Sequence, residues 1–292
     1  MLFKCKQLFL MLLTLSILTA CMADTTSAWA ERPTRPTPPA YIPIESYTNS
    51  TPYYPLSVEE PDTHDYYECE TETEEFLLRF HSINPNMPRP KIALTFDDGP
   101  IGYTNDILDL LEEHGGRATF CVLGYRVENW ADTVNRTTLL GSEVIGHSWT
   151  HRNFATLRRD EIEWEILATK EAIEAATNSP SPRMLRVPFG VINDAVLEIA
   201  EELEFALLQW SVDTRDWHYR CADHLYHYIM ENATHGAIIV LHDIHPSTME
   251  AMTRVIPELT AMGFQLVTAS ELINEVYGHS HLVPGTIYRG LR

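Results

Sequence analysis

Residues 91–100 read KIALTFDDGP. Ile92, Leu94 and Phe96 alternate with Lys91, Ala93 and Thr95, the period of two that marks a β-strand. The run stops at Asp97-Asp98-Gly99-Pro100, where adjacent acids, a glycine and a proline impose a turn. Two neighbouring carboxylates at the tip of a buried strand repel each other and lose hydration, which is costly unless a cation or a proton resolves it. Taken alone, Asp-Asp-Gly is equally well read as ordinary turn chemistry. The polar clusters further along the chain decide between the two.

Apolar strand-like runs recur at 118–123, 143–146, 184–187, 205–210, 237–242 and 264–267. Helical patterns separate most of them, at 103–114, 160–177, 193–203, 222–234, 248–262 and 269–277. The 160–177 segment gathers Ile162, Ile166, Leu167 and Ile173 on one face, with acids and Lys170 elsewhere. Strands alternating with helices predict an α/β fold with a parallel sheet. About seven repeats over the core 91–277 predict a (β/α)7-type barrel, closed or nearly so. Chemistry then belongs at the C-terminal ends of its strands.

The chain has 292 residues and a formal net charge of −20, which argues against nucleic acid or an anionic membrane surface as partner. Lys4 and Lys6 precede an apolar run over 8–19, the pattern of an export signal over 1–20. Leu18-Thr19-Ala20-Cys21 resembles the lipobox of bacterial lipoproteins, with a lipid on Cys21 as the membrane anchor. Ala28-Trp29-Ala30 offers an ordinary cleavage site instead, which would make the protein secreted. Residues 21–75, rich in Pro, Thr and Tyr and acidic toward the end, read as a disordered tether to one catalytic domain over 76–292. Cys121 reads as a small buried hydrophobe, while Cys69 and Cys221 are candidates for a disulfide in an oxidising compartment.

Four further polar clusters emerge from predicted strand ends. His147 and His151 in GHSWTH, four residues apart, are read as one helical turn apart and able to face a single ion. An Arg at a strand end, Arg186 in RVPFG, suits a bidentate pair with a carboxylate. The run WSVDTRDW carries Asp213, Asp216 and Trp217, and IVLHD carries His242. Arg215 and Asp216 are read as organising their own turn, Ser247 or Thr248 as a helix cap, and His224 and His227 as a solvated helix face.

In this order, TFDDG, HSxxH, RxPxG, DxxDW and LHD resemble the motifs of the polysaccharide deacetylases, carbohydrate esterase family 4. The resemblance implies an irregular barrel that removes acetyl groups from sugars. It implies a divalent metal on Asp98, His147 and His151, zinc first, with cobalt, nickel or manganese as alternatives. It implies Asp97 as general base held by Arg186, His242 as general acid, and Asp213 orienting His242. Phe189, Trp217 and Leu241 would line the substrate pocket, with a backbone N–H near Phe189 meeting the oxyanion. Val187 and Phe189 stand where the family often has Pro and Tyr. Trp149 and His245 are read as shaping the groove. The favoured substrate is peptidoglycan N-acetylglucosamine, acted on by a tethered monomer. Chitooligosaccharides, acetylated xylan and a silent glycan-binding role are the alternatives.

Overall fold

The computed structural model describes residues 89–278 and 282–291. The leader, the tether, Cys21 and Cys69 lie outside the described residues.

The opening strand, β1 (Lys91–Asp97), is followed by α1 (Gly102–Glu113), β2 (Thr119–Val122), the single turn α2 (Gly124–Val127) and α3 (Ala131–Leu139). Next come β3 (Glu143–Gly146), α4 (Arg159–Thr177), β4 (Met184–Leu185), α5 (Asp194–Glu202) and β5 (Ala206–Leu208). The last part holds β6 (Val212–Asp213), α6 (Asp216–Tyr219), α7 (Ala222–Asn232), β7 (Ile238–His242), α8 (Pro246–Ala261), β8 (Gln265–Leu266), α9 (Ala269–Tyr277) and β9 (Ile287–Tyr288). The strands form one sheet in the order β6-β7-β1-β2-β3-β4-β5-β9, with β8 against the start of β1 and every strand pair parallel.

This is the expected irregular barrel, with β1 at its centre. Asp97 lies opposite Cys121 of β2 on one side and His242 of β7 on the other. The sheet is so curled that Arg186, one residue past β4, bonds Thr95 and Asp97 across two intervening strands. Beyond β9 an antiparallel bridge between Gly290 and Ala237 carries the tail back to the start of β7.

The alternation in β1 sorts the core into two layers. Ile92, Leu94 and Phe96 pack with Ile107, Leu108 and Leu111 of α1 and Met252, Val255 and Ile256 of α8. Ala93 joins Cys121, Ile145, Met184, Ile238 and Tyr288 in the other layer, together with Leu272 and Ile273 of α9. The start of α9 sits at the N-terminal strand ends, where the Ala269 amide donates to Thr119 Oγ1 at 2.8 Å and Ser270 donates to Glu143.

Several short or polar elements escaped the sequence reading. The helix α3, ADTVNRTTL, buries only Thr133, Val134 and Thr137, so it carries almost no apolar signal. The strands β6 and β9 have two residues each, too short for a period to register. The helix α8 begins at Pro246 with no side-chain cap, so neither Ser247 nor Thr248 caps it.

A Cβ at Gly99 would lie 2.3 Å from a carboxylate oxygen of buried Asp243, whereas one at Gly102 would meet nothing within 4 Å. Gly99→Ala is expected to lower unfolding stability by about 1–3 kcal/mol through overpacking. Gly102→Ala should raise it by about 0.4–1 kcal/mol by reducing unfolded-chain entropy. Urea midpoints of the two variants check both signs.

Candidate active site

The strand-end loops converge on a buried group of acids and imidazoles. Asp98 leaves β1 with a left-handed backbone, φ 75°, which re-aims a side chain that would otherwise continue the strand alternation. Its Oδ1 lies 3.3 Å from His151 Nε2 and 3.6 Å from His147 Nε2. One ligand atom from each of the three lies within 4.8 Å of the others. Both oxygens of Asp98 are buried and accept no hydrogen bond, a condition that costs several kcal/mol for a charged carboxylate unless a cation meets it. His147 Nδ1 is 2.8 Å from the Arg186 carbonyl, which can only accept, so Nδ1 carries the proton and Nε2 offers its lone pair. Burial drives the His151 pKa down to about 4, which keeps that imidazole neutral. The donor set of one carboxylate and two imidazole nitrogens fits a divalent metal.

His147 and His151 are not on a helix. Their stretch is a loop in which Ser148 and His151 have φ of 72° and 60°, with the His151 amide donating to Ser148 Oγ at 2.8 Å. The loop hangs on Glu165 of α4, whose carboxylate accepts from the Trp149 amide at 2.7 Å and the Thr150 amide at 2.8 Å. Glu165 is 1% exposed, a buried acid on a helix whose pattern predicts solvent-facing acids. Trp149 is likewise buried, edge-on to Trp164 at 5.7 Å and with its ring against Gly124.

On one side of this group stands Asp97. Its Oδ1 accepts from Arg186 Nη1 at 2.8 Å, and both residues are buried. Burial pushes the Asp97 pKa up, but the Arg186 guanidinium, together with His147, His242 and a hydrogen bond from Cys121, holds the carboxyl below its ordinary range. On the other side stands His242. Burial opposes its charged form, yet the Asp216 carboxylate pushes its pKa up to about 10.

The partner of His242 corrects the sequence expectation. Asp216 Oδ1 lies 2.7 Å from His242 Nδ1, and Asp216 also accepts from the His242 amide, the Trp217 amide and Thr248 Oγ1. Asp213 lies in register with Val240, two residues short of His242, and accepts from the Arg215 amide at 3.1 Å. Arg215 has φ 50°, and that bend brings Asp216 under the imidazole. Leu241 is a second correction. It is fully buried with Leu94 and Phe96, on the strand face opposite His242, so Val240 is the apolar side chain that shares the His242 face.

Phe189 and Trp217 lie at the rim, 45% and 38% exposed. The Phe189 ring is 4.6 Å from that of His151, and its turn is held by Gln209, whose amide donates to the Gly190 carbonyl at 2.8 Å. His245 is nearly buried, 6.0 Å from His242 between ring centres. Cys221 is exposed and unpaired among the described residues.

The family model described as Polysaccharide deacetylase matches residues 84–208. A chitooligosaccharide deacetylase of a Bradyrhizobium strain is 33% identical over 190 residues, covering 60% of this chain and 87% of that protein. The chain belongs to the polysaccharide deacetylase family. The peptidoglycan-N-acetylglucosamine deacetylase PgdA of Listeria monocytogenes is 38% identical over 196 residues, 65% of this chain. The chain spans only 41% of that relative's length. The solved structure of the peptidoglycan deacetylase PdaC from Bacillus subtilis matches with a TM-score of 0.62 and 37% identity, over 67% of this chain and 94% of that one. The family-model match ends before Trp217 and His242, so the second half of the site rests on the geometry of Asp216 and His242 itself.

Glu165→Ala leaves two amides of the histidine loop without an acceptor, and the affinity for any divalent ion held by Asp98, His147 and His151, read by calorimetry, should fall about 10–100-fold. Asp216→Asn removes the charge that favours imidazolium, so the His242 pKa, read by NMR titration, should drop well below 10. Asp213→Asn should barely move it.

Proposed function

We propose that this protein is a metal-dependent hydrolase that removes N-acetyl groups from N-acetylglucosamine residues of an extracellular polysaccharide, peptidoglycan first. One observation carries the reading. A buried carboxylate with its own arginine and a half-buried imidazole with its own carboxylate flank a group of one carboxylate and two imidazoles.

Asp98, His147 and His151 would hold the ion, zinc by preference. Bound there, a divalent ion would supply Lewis acidity toward the acetyl carbonyl and toward a water. The residues of the chain supply the rest. Asp97, ionised and locked by Arg186, accepts the proton of the attacking water. His242 keeps its Nδ1 proton on Asp216 and gives the proton on Nε2 to the departing amine. The Phe189 turn, braced by Gln209, presents its backbone N–H to the developing oxyanion. Phe189, Trp217 and Val240 supply apolar surface for the acetyl methyl and the sugar faces.

Peptidoglycan is favoured because the relatives PgdA and PdaC are named for it. The lipobox-like 18–21 stretch supports export and a lipid tether beside the wall. The relative named for chitooligosaccharides supports a second reading, in which short soluble oligomers are the substrate.

The test is acetate release by the purified, zinc-loaded protein from peptidoglycan, N-acetylglucosamine oligomers and acetylated xylan. Acetate from the first two is expected. Acetate from xylan alone would move the target to plant polymers, and none from any would replace catalysis by silent binding. Asp97→Asn should lose about 10²–10⁴ in turnover while zinc still binds, because Asp97 acts on the water's proton.

A further inference from the structure

The segment 217–228, WHYRCADHLYHY, holds seven aromatic or histidine residues in twelve. The hydrolytic reading uses only the first of them. The rings form a continuous file over the surface, starting at the rim of the site. Trp217 and His218 are 5.5 Å apart between ring centres, His218 and Tyr219 4.9 Å, Tyr219 and His224 4.4 Å, and His224 and Tyr228 6.2 Å.

Two short elements produce this file. The helix α6 is a single turn that displays Trp217, His218 and Tyr219 outward. The helix α7 buries Leu225, Ile229 and Met230, which leaves His224 and Tyr228, one turn apart, on its outer side. Trp217 is 38% exposed and Tyr219 41% exposed, and His218 is exposed as well. Tyr226 stands outside the file, bonded to Glu258 and covered by Arg254.

The chemistry of the file selects its occupant. It contains no aliphatic side chain, and every ring carries a polar edge: a hydroxyl, an indole N–H or an imidazole nitrogen. A protein partner would ask for a contiguous apolar patch with a polar rim around it. A sugar ring presents the complement of the file, an apolar face of C–H bonds bordered by hydroxyl and acetamide groups. The file is also continuous with the catalytic residues, because the Trp217 amide is bonded to the same Asp216 that holds His242. A glycan chain with one residue at the site therefore has a path for its neighbours along these rings.

We propose that the file Trp217–His218–Tyr219–His224–Tyr228 binds the sugar residues that flank the one being deacetylated, and so sets a preference for long chains. This rests on the hydrolytic reading of the site. The protein is selective for polymer over short oligomer because each further ring adds a stacking contact that a dimer cannot reach.

The experiment compares kcat/KM for acetate release from the N-acetylglucosamine hexamer and dimer, in the zinc-loaded full-length protein and in Tyr219→Ala, Tyr228→Ala and Tyr219→Phe. The hexamer-to-dimer ratio is taken within each variant, so partial loss of folded protein cancels. It should fall about tenfold in Tyr219→Ala, chiefly through a higher KM for the hexamer, and return in Tyr219→Phe, which keeps the ring. A smaller fall is expected in Tyr228→Ala. An unchanged ratio in both alanine variants would overturn the proposal while leaving the hydrolytic reading intact. Should the parent protein release no acetate, calorimetric binding of the hexamer decides: weaker binding in the alanine variants supports the file, and equal binding removes it.

Discussion

The ion pair between Arg186 and Asp97 holds the site together. Both groups are buried, so neither can be removed without stranding the other, at a cost of about 3–5 kcal/mol by general experience with buried pairs. The pair also measures the curl of the sheet, because it joins strands with two others between them. Arg186 does more than orient one carboxylate. Its guanidinium bonds Thr95 on β1 and the Gln209 carbonyl past β5, and its own carbonyl sets the proton on His147. One residue thus ties Asp97, His147 and two strand ends to a common frame.

Around that frame the backbone is bent where the side chains must be aimed. Asp98, Ser148, His151, Phe189 and Arg215 all take left-handed conformations, and all lie on loops at the C-terminal strand ends. Such residues persist when their surroundings over-determine them. Glu165 does so for the histidine loop, Gln209 for the Phe189 turn, and Asp216 with Thr248 for the turn that carries Trp217. The barrel wall supplies rigidity, and these polar braces convert it into side-chain position.

The two flanking pairs are driven in opposite directions. An arginine holds Asp97 ionised, and a carboxylate holds His242 protonated, although burial opposes both charges. Groups whose pKa values are pushed apart in this sense are those suited to act as base and acid at one pH. The aromatic file beyond Trp217 adds a surface of different chemistry, apolar in its faces and polar at its edges.

The barrel is legible in the chain alone, because period-two and helical runs alternate across nearly the whole core and buried parallel strands leave that signature. Asp97, Asp98, His147, Arg186 and His242 are equally legible as residues at strand ends, where chain order and family pattern agree. Which acid serves His242 is settled only by folding. Asp213 and Asp216 are three residues apart in one turn, and only the left-handed Arg215 between them brings the second under the imidazole. The two histidines meet through a loop and not a helix, a difference that spacing alone does not carry. Glu165 stays hidden in the sequence, because a glutamate on an amphipathic helix looks solvated until the loop that needs its oxygens is folded over it. Leu241 turns away from the site, since a strand has two faces and the register with β1 assigns them. Local pattern fixes what each residue can be, and the curl of the sheet fixes which residues meet.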